Sequence, residues 1–172
     1  RTEEAIAEYQ EILRLDSKNL SSHQNLILLY ERAGRLDEAL AQATSALQVV
    51  PQGEMPALHT TRGNLYLRKR EFAQAGASYK AALALNQNLP LAHKGLGLAY
   101  ANQGRLPEAV AETLEAIKLM PEEYESRKNL ALMYRDLGQR DEALAQAREA
   151  LKLAPAGQKE RIQELISQLE AS

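Results

Sequence analysis

Cysteine and tryptophan are both absent from this 172-residue chain. Without a thiol there is no disulfide, no thiolate nucleophile and no cysteine zinc site. Neither sign of charge is in excess: 21 basic against 23 acidic side chains leave a formal net charge of −2. That balance supplies no global drive onto nucleic acid or an anionic membrane. No apolar run approaches the roughly 18 residues that a membrane helix needs. Glu3, Glu4 and Glu8 stand where a signal peptide would carry its apolar core. A cytoplasmic location is therefore favoured over a periplasmic or envelope-associated one. The chain begins at Arg1 rather than Met, as expected for a fragment of a longer protein.

What the chain does have is repetition. Hydrophobic residues make up 45%, an ordinary share for one folded domain. The segment Asp37–Ala43, DEALAQA, recurs unchanged as Asp141–Ala147, an offset of 104 residues, or three periods of 34 plus two. Tyr30, Tyr66, Tyr100 and Tyr134 are spaced by 36, 34 and 34, which places the two added residues in the first interval. Ala39, Ala75, Ala109 and Ala143 follow at a constant distance, as do Ala46, Ala82, Ala116 and Ala150.

Each unit reads as a pair of helices. First helices are expected over 20–33, 56–69, 90–103 and 124–137, and second helices over 36–50, 72–85, 106–119 and 140–153. Leu106, Val110, Leu114 and Ile117 show the helical spacing of apolar positions. Gly34, Gly104 and Gly138 sit where a left-handed residue ends a helix at low cost. Pro51, Pro121 and Pro155 close second helices, which proline cannot continue. The two added residues fall in the turn-rich stretch Gly53-Glu54-Met55-Pro56. No stretch alternates with period two for long enough to make a strand.

These residues resemble the tetratricopeptide repeat, most clearly in the third unit: Leu96-Gly97-x-x-Tyr100, then Ala109, then Pro121. The resemblance covers nearly the whole chain and implies an all-α, right-handed α-solenoid with a C-terminal capping helix. Its parts would be the second helix of a truncated repeat at 1–19, four repeats at 20–53, 56–89, 90–123 and 124–157, and a cap at 158–171. Two positions depart from the pattern. Ile27 stands where a small residue is usual, and Arg62 stands in the slot held by Leu26, Leu96 and Leu130. The second of these makes the packing of the second repeat the least secure.

Catalytic chemistry finds little support. His23, His59 and His93 share one slot, seven residues before each Tyr, and the fourth unit has Arg127 there. Successive slots lie about 8–10 Å or more apart, too far to share a zinc whose nitrogens sit about 2.0–2.1 Å from the metal. Packing between helices is the expected role of this column. The chain contains no His-Glu-x-x-His, no Gly-x-Ser-x-Gly and no calcium loop. Neither an enzyme activity, a metal nor a cofactor is expected.

The resemblance places the first helices on a concave face. Carried over position by position, it offers Asn25, Thr60, Asn64, Arg68, Lys94, Asn102, Lys128, Asn129 and Arg135 as peptide-binding residues. Arg32, Arg68, Lys94, Lys128 and Arg135 against Glu31, Glu125 and Asp136 make that face net +2. An extended, mildly acidic protein segment or partner helix is the expected ligand, and the expected function is a non-catalytic protein-interaction scaffold. The slots with which co-chaperone members grip a C-terminal carboxylate hold Gln24, Leu28, Thr61, Leu91 and Gly95 here, which disfavours that ligand. Two alternatives stay open: the substrate-recruiting arm of a larger enzyme or envelope-associated protein, and a self-assembling structural module. For the last, Ala5, Tyr9 and Ile12 would form an open end within residues 1–16 that associates end to end.

Overall fold

A computed structural model of the chain describes residues 1–171. They form ten α-helices and no strand: α1 Thr2–Leu15, α2 Leu20–Arg32, α3 Leu36–Val49, α4 Met55–Arg68, α5 Phe72–Leu85, α6 Pro90–Asn102, α7 Leu106–Leu119, α8 Tyr124–Asp136, α9 Arg140–Leu153 and α10 Ala156–Ala171. The helices of the four repeats and the cap match the expected ranges to within two residues, whereas α1 ends at Leu15, short of the expected 1–19. The two added residues become a single 3₁₀ turn, Gln52–Glu54, that leads directly into α4.

Two local solutions serve the starts of the first helices. Asn19 and Glu123 cap α2 and α8 by accepting from the backbone N–H of Ser22 and Ser126, which satisfies a donor that the helix leaves orphaned. In α4 and α6, Pro56 and Pro90 occupy the first turn, where their missing N–H is not needed. The first helices all end alike. The N–H groups of Arg35, Glu71, Arg105 and Gln139 reach back to the carbonyls of Tyr30, Tyr66, Tyr100 and Tyr134 at 2.8–3.0 Å. This closure requires a left-handed residue just before each donor. Gly34, Gly104 and Gly138 fill that position with φ near +74°, whereas Arg70 fills it at φ 62°. A side chain in that region crowds its own backbone.

The helices group into two compact units, Arg1–Gln87 and the residues from Asn88 onward. In the first unit α2 pairs with α3 and α4 with α5, while α1 packs on α2 and α3 on α4. Its core gathers Ile6, Leu26, Ile27, Tyr30, Leu58 and Leu65 around the small residues Ala39, Ala43 and Ala46. In the second unit α6 pairs with α7 and α8 with α9, α7 packs on α8, and α10 covers α9. Ile162, Leu165 and Leu169 of α10 are buried while its remaining positions are largely exposed polar residues, as a capping helix requires.

Volume is traded across three of the four helix pairs. A Cβ on Gly63 would lie 2.6 Å from the Tyr79 ring, and one on Gly97 would lie 2.5 Å from the Thr113 hydroxyl. By the same register the bulky Ile27 pairs with Ala43, both buried in one cluster. The Ile27 departure is thus matched by a small residue on the second helix.

The histidine slot forms a polar strut. His23 donates from Nε2 to the Ser17 carbonyl at 2.9 Å, and its Nδ1 accepts from the Gln42 amide. Arg127, in the same slot, donates to the Pro121 carbonyl and to Gln146. His93 Nδ1 donates to Glu112 at 2.7 Å. Each strut therefore ties the first helix to one slot on the second, occupied by Gln42, Ser78, Glu112 and Gln146. In the second repeat Ser78 is too short for that span, and Arg62 bridges it. Its guanidinium donates to His59 Nδ1 and to the Ser78 hydroxyl, each at 3.2 Å. A leucine at this position could not make that bridge. The concern about packing around Arg62 is answered by a polar compensation.

Candidate functional site

The residues that the sequence offers for peptide binding all lie on the first helices, α2, α4, α6 and α8. In the first unit, α2 and α4 present them in a row. Asn25 is half-buried and makes no side-chain hydrogen bond among the described residues. The Thr60 hydroxyl turns back to the Pro56 carbonyl at 2.9 Å, so its proton is committed. Asn64 accepts from the Tyr79 phenol at 2.6 Å, which leaves its amide N–H₂ available. Burial raises the Tyr79 phenol above its ordinary range and keeps it a donor. Arg68 pairs with Glu31 at 2.9 Å across the gap between the two helices.

A hollow of about 240 Å³ lies between α2 and α4. Its lining is Gln24, Ile27, Leu28, Glu31, Leu58 and Thr61. Ile27 and Leu58 are buried and form its floor, while Leu28 is 42% exposed at its rim. The side chains of Gln24 and Thr61 make no hydrogen bond among the described residues.

In the second unit the corresponding slots are filled differently. Lys94, in the slot of Gln24, reaches Glu123 at 3.2 Å and Glu125 at 3.0 Å. Burial alone would lower the Lys94 ammonium, but the two carboxylates outweigh it and hold it above its usual value. Burial likewise pushes the Glu123 carboxyl up. Two hydrogen bonds from Ser126 and the Lys94 charge reverse that and leave it below the ordinary carboxylate range. Asn102 donates to the Leu98 carbonyl at 2.9 Å. Arg135 pairs with its neighbour Asp136. Lys128 lies over the Tyr124 ring at 5.9 Å, and Asn129 is half-buried with no side-chain hydrogen bond among the described residues.

Two tetratricopeptide-repeat family models match, one over residues 1–54 and 60–122 and the other over 124–156. The chain belongs to the tetratricopeptide repeat family. No curated protein matches it by sequence. Among solved TPR structures, YrrB, described as having an unusual peptide-binding site, superposes with a TM-score of 0.78 at 22% identity, over 99% of this chain and 84% of that one. A thermophilic TPR protein from Thermus thermophilus superposes with a TM-score of 0.73 at 23% identity, over 100% and 92%. The first TPR of Spaghetti, bound to an HSP90 peptide, superposes with a TM-score of 0.67 at 27% identity, over 72% and 96%.

The TPR register correctly separates core slots from polar ones, but it does not show which polar groups are already occupied. Of the five cations counted on the first-helix face, Arg68, Lys94 and Arg135 each have a carboxylate partner. Arg32 has no ion pair among the described residues, and Lys128 has only an aromatic ring. Sequence reasoning also passed over Ile27 and Leu58 as parts of a surface feature. Both are buried; the hollow exists because the side chains above them leave space. Among the described residues, no helix is long and apolar enough to cross a membrane.

Proposed function

We propose that this TPR chain is a non-catalytic protein-interaction scaffold that binds an extended protein segment along the first-helix face. The observation that carries this reading is the combination on α2 and α4: a hollow with an apolar floor and with unpartnered side chains at Gln24 and Thr61 in its wall. A solvated helix face needs no such recess. Peptide main chain offers alternating donors and acceptors, which amides and hydroxyls can match in either sense. The peptide-binding descriptions of YrrB and of the Spaghetti TPR are consistent with this use of the fold.

A mildly acidic segment is favoured, because each unit keeps a first-helix cation with no carboxylate to displace, Arg32 on α2 and Lys128 on α8. Lys94 is a poorer anion site, since an incoming carboxylate must compete with Glu123 and Glu125. Pull-down with the intact chain, followed by titration of the captured partner's binding segment, tests the reading. The variants Gln24→Ala/Thr61→Ala, on the first unit, and Lys128→Ala/Asn129→Ala, on the second, are tested separately; one of them is expected to lose capture, and rising salt is expected to weaken binding because exposed charges are screened. Equal capture by both variants would overturn it.

Self-association is a second reading, favoured by one observation. Ile12 is 40% and Leu15 73% exposed on α1, an apolar edge on the first unit. Tyr9 belongs to that edge only in part, because it packs against the core of the first unit.

A further inference from the structure

We propose that the hollow between α2 and α4 seats one aromatic side chain of the bound segment and thereby sets the sequence preference of the scaffold. This inference rests on the peptide-binding reading above. Space comes first: a cavity of about 150 Å³ with apolar walls already accepts a benzene ring, and this hollow measures about 240 Å³. Its floor is apolar, formed by Ile27 and Leu58, and the exposed Leu28 stands ready to cover one face of a ring.

Charge then narrows the occupant. The single ionised group in the wall is Glu31, and Arg68 already holds it at 2.9 Å. An incoming cation would have to displace Arg68, and an incoming carboxylate would meet Glu31 or have to strip Arg68 from it. An uncharged side chain disturbs neither. The rim supplies the remaining selectivity. The Gln24 amide and the Thr61 hydroxyl can hydrogen-bond the main chain on either side of the anchor, or a phenolic hydroxyl at its tip. A large aromatic body with a polar surround meets all three conditions, whereas an aliphatic side chain leaves part of the hollow unfilled. The equivalent place between α6 and α8 is framed by an ion cluster instead. There the slot of Gln24 holds Lys94, engaged with Glu123 and Glu125.

Selection of a random peptide library displayed on phage against the full chain tests this. The selected peptides are then titrated against the chain, against Leu28→Ala/Thr61→Ala, and against Lys128→Ala/Asn129→Ala. Leu28 is exposed and Thr61 half-buried, so the first variant is expected to fold, and its thermal unfolding curve confirms that. The expected result is enrichment of Tyr, Phe or Trp at one position, with a loss of about tenfold or more in Leu28→Ala/Thr61→Ala, as for an anchor in a pocket. Peptides selected without an aromatic position, with a charged residue in its place, or bound equally by Leu28→Ala/Thr61→Ala would overturn the inference. In those cases the peptide-binding reading stands, and dependence on Lys128 and Asn129 locates the site elsewhere. Failure to enrich any peptide would overturn the peptide-binding reading and the inference with it.

Discussion

The Tyr79 ring occupies the volume that a side chain on Gly63 would need. A Cβ at Gly63 would sit 2.6–2.8 Å from Cε1, Cζ and Cδ1 of the ring. Tyr79 is fully buried, and its phenol reaches past Gly63 to donate to Asn64. The glycine is therefore the condition for a large aromatic on α5, and the aromatic fills what the glycine leaves.

Gly63→Ala is accordingly expected to destabilise the protein by about 1–3 kcal/mol, the usual cost of forcing a methyl into a packed contact. Introduced alongside Tyr79→Leu, the same methyl is expected to cost much less. Urea denaturation of both single variants and the double variant gives the coupling directly. Additive effects would mean that the two residues do not share one space.

Arg70 is the exception among the four closures of the first helices. Its φ of 62° costs an L-residue roughly 1–2 kcal/mol, and its side chain makes no ion pair or hydrogen bond among the described residues. Glycine at this position loses about 0.5–1 kcal/mol of backbone freedom on folding. Arg70→Gly is expected to stabilise the protein by about 0.5–1 kcal/mol, read as a higher denaturation midpoint with an unchanged slope. Gly34→Ala, which imposes the same strain in the first repeat, is expected to move the midpoint the other way.

His59 predicts a pH dependence of definite sign. Burial, and then the neighbouring Arg62 charge, holds its imidazole below the ordinary value of 6.5. The unfolded chain therefore binds this proton at a higher pH than the folded one, and stability falls as pH drops below 6.5. The fall ends once pH passes the folded value. Denaturation between about pH 7.5 and about pH 5.5 is expected to show a smaller loss in His59→Gln than in the parent chain. An NMR titration placing the His59 midpoint above 6.5 would contradict the assignment.

The apolar edge of α1 makes a fourth prediction. Sedimentation across a concentration series is expected to show association that Ile12→Lys/Leu15→Lys weakens, since charges on that edge oppose its burial. Both side chains are exposed, so the double variant is expected to keep its unfolding midpoint. Unchanged association would remove α1 as the contact. Tyr9 is a poor choice for this test because its loss disturbs the core as well.

Much of this protein could be read from spacing alone. Recurrent Tyr and Ala positions, with glycine and proline as punctuation, determined the eight helices of the four repeats and nearly all of their ends, because helix periodicity and termination are local properties. The same register aligned His23, His59 and His93 as one column, but their hydrogen-bond partners came only from the structure. The register did not reveal why Arg62 replaces a leucine. That answer needs Ser78, sixteen residues later, and the distance its short side chain fails to cover. Nor did it reveal that Lys94 is held by Glu123 and Glu125, or that Gly63 belongs with Tyr79. The hollow over Ile27 and Leu58 is of the same kind. Sequence period decides which slot a residue occupies, but vacancy and occupancy depend on which side chains meet across two helices. Those meetings are set by tertiary packing.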